Sequence, residues 1–217
     1  MTNRKQEIVS FFKSSTCIAM MIYFIGVTLI LILNEKGAVE LWLNEMHNPF
    51  SDQFFKYWTY LGDGRLYAVL GIIFLCYRYS WLLFTLAVAL IQTIIIQIPK
   101  RVIFDDLRPS LYFEGMDLHF VEGVKIYGYN AFPSGHTATG FAIFTILFFL
   151  FQKSKQWHLA FGIAAGLVGL SRVILMLHFF EDTLAGGILG VLSVIIAYYF
   201  FAFLFEKPKL QKGLLNR

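Results

Sequence analysis

Residues 157–205 read WHLAFGIAAGLVGLSRVILMLHFFEDTLAGGILGVLSVIIAYYFFAFLF. Two apolar runs, 157–177 and 183–205, flank a short polar turn around His178. Each run is long enough to cross a hydrocarbon core of roughly 30 Å as a helix. Gly162 with Gly166, and Gly186 with Gly190, recur at four-residue spacing, which lets membrane helices approach closely. This stretch therefore reads as two antiparallel membrane helices joined by a tight turn, with Arg172, His178 and Asp182 near the turn.

Outward from that hairpin the pattern repeats. Further apolar runs lie near 17–34, 66–77, 81–98 and 137–151. With 58% hydrophobic and only 15% charged residues, the 217-residue chain is too apolar for an ordinary soluble domain. The expected fold is all-α, a polytopic bundle of six transmembrane helices. The run 66–77 is the shortest, and it spans only if its helix begins around Gly62 to Arg65 and continues to about Arg78.

If six spans alternate, Arg4, Lys5, Lys13, Arg78, Lys153, Lys155, Lys207, Lys209, Lys212 and Arg217 fall on one side. Positive residues favour the cytoplasm, so both termini are expected there. Segment 1–16 then forms a cytoplasmic N-terminal stretch and 206–217 a cytoplasmic tail. The loops 35–64 and 99–136 and the turn at His178 face outward. The net charge of +4 is accounted for by this asymmetry and gives no reason to expect nucleic acid.

The first apolar run is followed by Asn34-Glu35-Lys36 without a small-x-small cleavage pattern, which suits an uncleaved signal anchor. Cys17 and Cys76 lack Cys-x-x-Cys spacing, so neither a disulfide nor a zinc site is expected. No linker or repeat divides residues 1–217, which read as one membrane-embedded domain. Nothing in the sequence fixes an oligomeric state.

The outer loops carry the remaining pattern. Val39, Leu41, Trp42 and Leu43, then Phe54, Phe55, Tyr57 and Trp58, suit helices lying along the membrane interface. Loop 99–136 is long for a compact bundle and holds Phe104, Tyr112, Phe113, Phe120, Tyr127, Tyr129 and Phe132, which suits a surface resting on the bilayer.

Three outer segments contain polar residues that packing alone does not require. Arg172 lies at or inside the hydrocarbon boundary, where an arginine costs about 2.5–3.5 kcal/mol on insertion scales and calls for a partner or polar cavity. Asp182 stands four residues after His178. In a helix that spacing puts both on one face, where the carboxylate accepts the Nδ1 proton and leaves Nε2 free as a nucleophile.

Pro133-Ser134-Gly135-His136 precedes an apolar helix, so Ser134 reads as its cap. The same free amides, side-chain-free glycine and serine hydroxyl make a place for an anion. Lys100-Arg101 and Arg108-Pro109 add cations, the proline fixing the turn that aims Arg108. Together these segments supply two histidines, one carboxylate and several cations, a complete set for phosphoryl transfer.

At these residues the sequence resembles the type 2 phosphatidic acid phosphatase superfamily, over roughly residues 55–205. The signature of that family is Lys-x6-Arg-Pro, Pro-Ser-Gly-His and Ser-Arg-x5-His-x3-Asp. The second part is matched by Pro133-Ser134-Gly135-His136 and the third by Ser171-Arg172, His178 and Asp182. The first departs: seven residues separate Lys100 from Arg108, and six separate Arg101 from Arg108. Either Arg101 replaces the usual lysine or an extra residue lets Lys100 reach in.

The resemblance implies an enzyme, a metal-independent phosphatase with no cofactor, in a six-helix bundle with its site near the outer face. His178 would attack phosphorus to give a phosphohistidine, with Asp182 fixing its tautomer. His136 would protonate the leaving group and then activate water. Arg108, Arg172, Lys100 or Arg101, Ser134 and the amides near Gly135 would surround the phosphoryl oxygens.

The expected substrate is a membrane lipid phosphate or diphosphate: undecaprenyl diphosphate, phosphatidylglycerophosphate, phosphatidate or a lipid A phosphate. The expected setting is the bacterial plasma membrane. A lipid phosphotransferase using the same phosphohistidine is the nearest alternative. A non-enzymatic transporter is a more distant one, since it gives no reason for the two histidines.

Overall fold

A computed structural model describes residues 2–216. Met1 and Arg217, the outermost residues of the expected terminal segments, lie outside them. Among the described residues the regular elements are helices. In chain order they are α1 (Thr2–Phe12), α2 (Ser15–Leu33), α3 (Ala38–Glu45), α4 (Pro49–Trp58), α5 (Arg65–Tyr77), α6 (Tyr79–Gln92), α7 (Ile98–Val102), α8 (Pro109–Tyr112), α9 (Gly135–Leu150), α10 (His158–Ile174) and α11 (Phe180–Phe201).

Local sequence explains several boundaries. The Ser14 hydroxyl accepts the Cys17 amide at 3.2 Å to cap α2. Asn48 accepts the Ser51 amide at 3.0 Å, with Pro49 in the first helical position of α4. A π-helical stretch, Thr93–Gln97, joins α6 to α7.

Among the described residues, four helical stretches are long and apolar enough to cross a membrane: Ser15–Leu33, Tyr79–Val102, Lys155–Ile174 and Phe180–Glu206. Pro49–Gly62 and Arg65–Tyr77, bent by 55°, make a fifth if taken as one broken span. The six expected crossings thus stand at four to five by length. The 13 residues of α5 rise only about 20 Å and the 16 of α9 about 24 Å, short of a full hydrocarbon core.

Burial explains why α9 is short. Twelve of its 16 residues are buried, making it the central strut against which α10 and α11 pack, with α2 lying on those two. By contrast α2 buries four of 19 and exposes Ile18, Met21, Ile22, Ile25, Leu29, Ile32 and Leu33. A helix that turns its large apolar side chains outward needs an apolar solvent, and the chain is accordingly an integral membrane protein.

The glycines serve packing, as their spacing suggests. A Cβ on Gly186 would collide with the Ser134 carbonyl and one on Gly190 with the Ala138 carbonyl, so α11 lies directly on the α9 backbone. Gly162 meets the Thr16 carbonyl of α2 in the same way, whereas Gly166 has ordinary contact with Tyr23 at 3.4 Å.

One end of the bundle gathers both chain ends. Arg4 meets Glu206 at 3.2 Å, Gln152 donates to Ser10 at 2.6 Å, and the Tyr79 amide donates to Lys212 at 2.9 Å. The basic residues singled out above are on these segments, apart from Arg217, which lies outside the described residues. Cys17 and Cys76 are both free thiols.

At the other end lie α3, α4, the loop 103–134 and the turn after α10. The loop packs as a strap, with Phe113 against Met176 and Phe179, and Val121 against Leu175 and Leu177. Tyr112, Phe120, Tyr127 and Tyr129 remain exposed, so only part of the aromatic set turns inward.

Candidate active site

The turn between α10 and α11 carries His178. Leu177 and His178 both donate their amides to the Arg172 carbonyl, at 2.9 and 3.1 Å, and this closes the end of α10. Met176 takes a left-handed conformation there (φ 54°), costly by about 1–2 kcal/mol for a residue with a Cβ. Its burial among Phe113 and Phe179 holds it in place.

His178 and Asp182 are each 1% exposed, and Nδ1 lies 3.1 Å from Oδ2. The expected pairing forms, though not along a helical face. His178 precedes α11, and Asp182 reaches back over the start of that helix, where the same Oδ2 also accepts the Phe179 amide at 3.0 Å. The Asp182 carbonyl in turn accepts the Ser134 amide at 2.9 Å, tying the two motif segments together through backbone.

Ser134 caps α9. Its hydroxyl oxygen accepts the Thr137 amide at 3.4 Å and the Thr137 hydroxyl at 2.9 Å, leaving its own proton to donate elsewhere. Gly135 faces Gln97, whose Nε2 would sit 2.9 Å from a Cβ added there. His136, in the first turn of α9, is half-buried.

Three cations surround this centre. Arg108 spreads its guanidinium over three backbone carbonyls: Nε to Tyr129 at 2.9 Å, one Nη to Leu177 at 3.1 Å and the other to Asn130 at 3.3 Å. The strap is thereby pinned to the residue before His178. Lys100 is buried and donates to the carbonyls of Ala131 and Pro133 at 3.2 and 2.9 Å.

Arg172, 5% exposed, donates from Nη1 to the Thr59 hydroxyl at 2.6 Å. Its Nε is buried with no hydrogen-bond partner among the described residues. A buried charged donor left unpaired is costly, by about 1–3 kcal/mol or more, and marks a place for an acceptor.

Arg101 is not brought in. It is exposed on the far side of the single turn α7, while its neighbour Lys100 points inward. Adjacent helical residues diverge by about 100°, so only one of the pair can face the cluster. That residue is Lys100, which is buried while Arg101 is exposed.

Burial is the largest influence on the His178 imidazole, and the charges of Arg108, Arg172, Lys100 and His136 act in the same direction. Together they hold its protonation well below the ordinary histidine range, so the ring stays neutral near pH 7 and keeps a free lone pair.

Two contributors escaped the sequence reading. Glu40 of α3, 4% exposed, accepts the Phe180 amide at 2.9 Å and so holds the start of α11 beside Asp182. Thr59 supplies the Arg172 partner. The available signal for Glu40 was an acid inside the otherwise apolar run Val39–Leu43.

The sequence and the fold have counterparts among known proteins. The chain is similar to the lipid A 1-phosphatase of Porphyromonas gingivalis, 32% identical over 80 residues, covering 36% of this chain and 18% of that protein. It spans between 18% and 39% of the length of the curated relatives it matches.

Its fold matches the crystal structure of Aquifex aeolicus LpxE, with a TM-score of 0.65 at 24% identity, covering 76% of this chain and 94% of that one. It also matches the first transmembrane PAP2 type phosphatidylglycerolphosphate phosphatase from Bacillus subtilis, with a TM-score of 0.63 at 23% identity, covering 88% and 97%. The family model that matches residues 78–206 takes in Lys100, Arg108, the Ser134–His136 turn and the His178–Asp182 pair, and the chain belongs to the PAP2 superfamily.

Proposed function

We propose that this protein is a lipid phosphate or diphosphate phosphatase that works through a phosphohistidine on His178. The observation that carries the reading is a neutral, carboxylate-backed imidazole enclosed by Lys100, Arg108 and Arg172, with the Arg172 Nε buried and unpaired. A phosphoryl group is an anion of suitable charge and acceptor count for such a ring of donors.

In the first step the His178 Nε2 lone pair forms a bond to phosphorus as the bond to the leaving oxygen breaks. His136, half-buried at the edge of the cluster, gives that oxygen a proton. In the second step water attacks phosphorus, His136 takes the water proton, and the P–N bond breaks to release phosphate and neutral His178. Asp182 keeps the Nδ1 proton throughout, and the Ser134 hydroxyl and Gly135 amide join the cations on the phosphoryl oxygens.

The chemistry of the donors favours a reaction without a metal. Asp182, the cluster's carboxylate, is engaged by the His178 ring and the Phe179 amide, and Lys100, Arg108 and Arg172 repel a divalent ion. The substrate class follows from the membrane setting and from relatives whose names specify lipid A and phosphatidylglycerophosphate. Undecaprenyl diphosphate and phosphatidate share the same recognisable group.

The gathering of basic segments at the end opposite the cluster suits six crossings, with α9 and the broken α4–α5 pair each counted once. Both termini would then be cytoplasmic and the site at the outer face of a bacterial plasma membrane.

The test is phosphate release from a panel of these lipids by the detergent-purified chain in EDTA, beside His178→Ala. Release that survives chelation and vanishes in the variant is expected. Release unchanged in His178→Ala overturns the nucleophile. Label transferred to an added lipid acceptor, with little free phosphate, identifies a transferase instead.

A further inference from the structure

Away from the catalytic cluster, the corner between α3 and α4 meets the strap at a second group of polar side chains. His47 lies in the corner, Asp52 in the first turn of α4, and His119 in the strap. One ligand atom from each lies within 4.8 Å of the others. The His119 Nε2 is 2.8 Å from the Asp52 Oδ2, and the His47 and His119 rings stack at 3.6 Å. His47 and His119 border a polar cleft of about 660 Å³ that Glu45 and Asp117 also line.

We propose that His47, Asp52 and His119 form a binding site for a divalent transition metal, with zinc the best match. Two imidazoles and one carboxylate are the donor set of a borderline cation; magnesium and calcium would call for oxygen alone. The fourth position is open to water or to Glu45 or Asp117 from the same cleft.

The framework is built for this. His119 is held by Asn44, itself 5% exposed, which donates to the His119 carbonyl at 2.8 Å and accepts the His119 amide at 3.0 Å. Asp52 is fixed on a capped helix. Two ligands are thus preset, and a metal replaces the proton they share. Donor atoms around tetrahedral zinc are about 3.3 Å apart given bonds of about 2.0–2.1 Å, so that pair opens by about 0.5 Å. The third ligand, His47, is exposed and free to swing inward.

Occupation would tie the strap to the corner next to Leu118, which packs with Phe179, and Val121, which packs with Leu175 and Leu177. The metal is therefore a clasp on the segment that lies over the His178 turn, and it is separate from the hydrolytic chemistry.

The experiment uses the full, untagged chain in detergent, stripped with chelator and titrated with Co²⁺ and then Zn²⁺. The expected result is a visible cobalt absorption that saturates at one equivalent, is displaced by zinc, and is accompanied by a rise in melting temperature. His47→Ala changes an exposed residue and leaves the fold intact; it should weaken binding at least about tenfold and abolish the thermal shift. His119→Ala should do the same. Absence of saturable binding in the wild type, or affinity unchanged in His47→Ala, overturns the proposal.

Discussion

The Oδ2 atom of Asp182 accepts two hydrogen bonds at once, lying 3.1 Å from the His178 Nδ1 and 3.0 Å from the Phe179 amide. One carboxylate oxygen thus orients the imidazole and caps the helix that carries it. The Phe179 amide holds that oxygen in place, so the imidazole meets a fixed partner. That coupling converts a four-residue spacing into a fixed nucleophile.

Asp182→Asn tests it. The amide keeps an oxygen for the Phe179 amide, so the helix start and the fold should persist. It also brings an N–H₂ that can face Nδ1 and stabilise the wrong tautomer. Turnover should fall about 10³–10⁴-fold, the scale seen when the carboxylate behind a catalytic imidazole becomes an amide, with the melting temperature little changed. Loss of folded protein would assign Asp182 a structural role instead.

Arg108→Lys separates charge from shape. The guanidinium donates to Tyr129, Asn130 and Leu177 at once, and an ammonium on a flexible stem cannot span all three carbonyls. Stability should drop by about 1–3 kcal/mol as buried acceptors lose partners, and kcat/KM by about 10²-fold as the fork no longer faces the phosphoryl group. Denaturation and steady-state kinetics on one preparation measure both.

Packing against the Pro133–His136 turn gives a third expectation. In Gly186→Ala the new methyl meets the Ser134 backbone, which can make room only by displacing the turn. The variant should lose about 1–3 kcal/mol and part of its activity, because Ser134 must shift. Gly166→Ala, where the neighbour is the Tyr23 ring at 3.4 Å, should be tolerated and serves as the control. Equal melting temperatures for the two would contradict the close approach of α11 to α9.

Much of the site was legible because its residues are local. Ser134, Gly135 and His136 share one turn, and His178 and Asp182 one helix start, so short-range spacing already carried their relation. What the sequence left open depends on geometry built elsewhere. The choice between Lys100 and Arg101 turns on which of the two the short helix α7 buries, which apolar periodicity does not register. Glu40 meets Phe180 across 140 positions and Thr59 meets Arg172 across 113, contacts that no local pattern encodes. Length identifies only four to five of the six expected crossings for a similar reason, since the central α9 is largely buried in protein and need not be as long as a lipid-facing helix.

Glu40 supplies the pH-dependent prediction. Burial raises its carboxyl above the ordinary 4.5, partly opposed by the Phe180 amide and by Lys36. The folded state therefore binds a proton more readily than the unfolded chain does. Its contribution to stability is full below 4.5 and is lost as pH rises through the folded value. Glu40→Gln retains an oxygen for the Phe180 amide but cannot ionise, so its stability lacks that decline. Melting curves from about pH 4.5 to about 8 should show the variant gaining on the wild type by a few degrees as pH rises. If the two curves instead stay parallel, the Glu40 carboxylate is already ionised across the range, and its hold on α11 is a charge-assisted hydrogen bond whose loss in the glutamine variant would appear as a constant deficit.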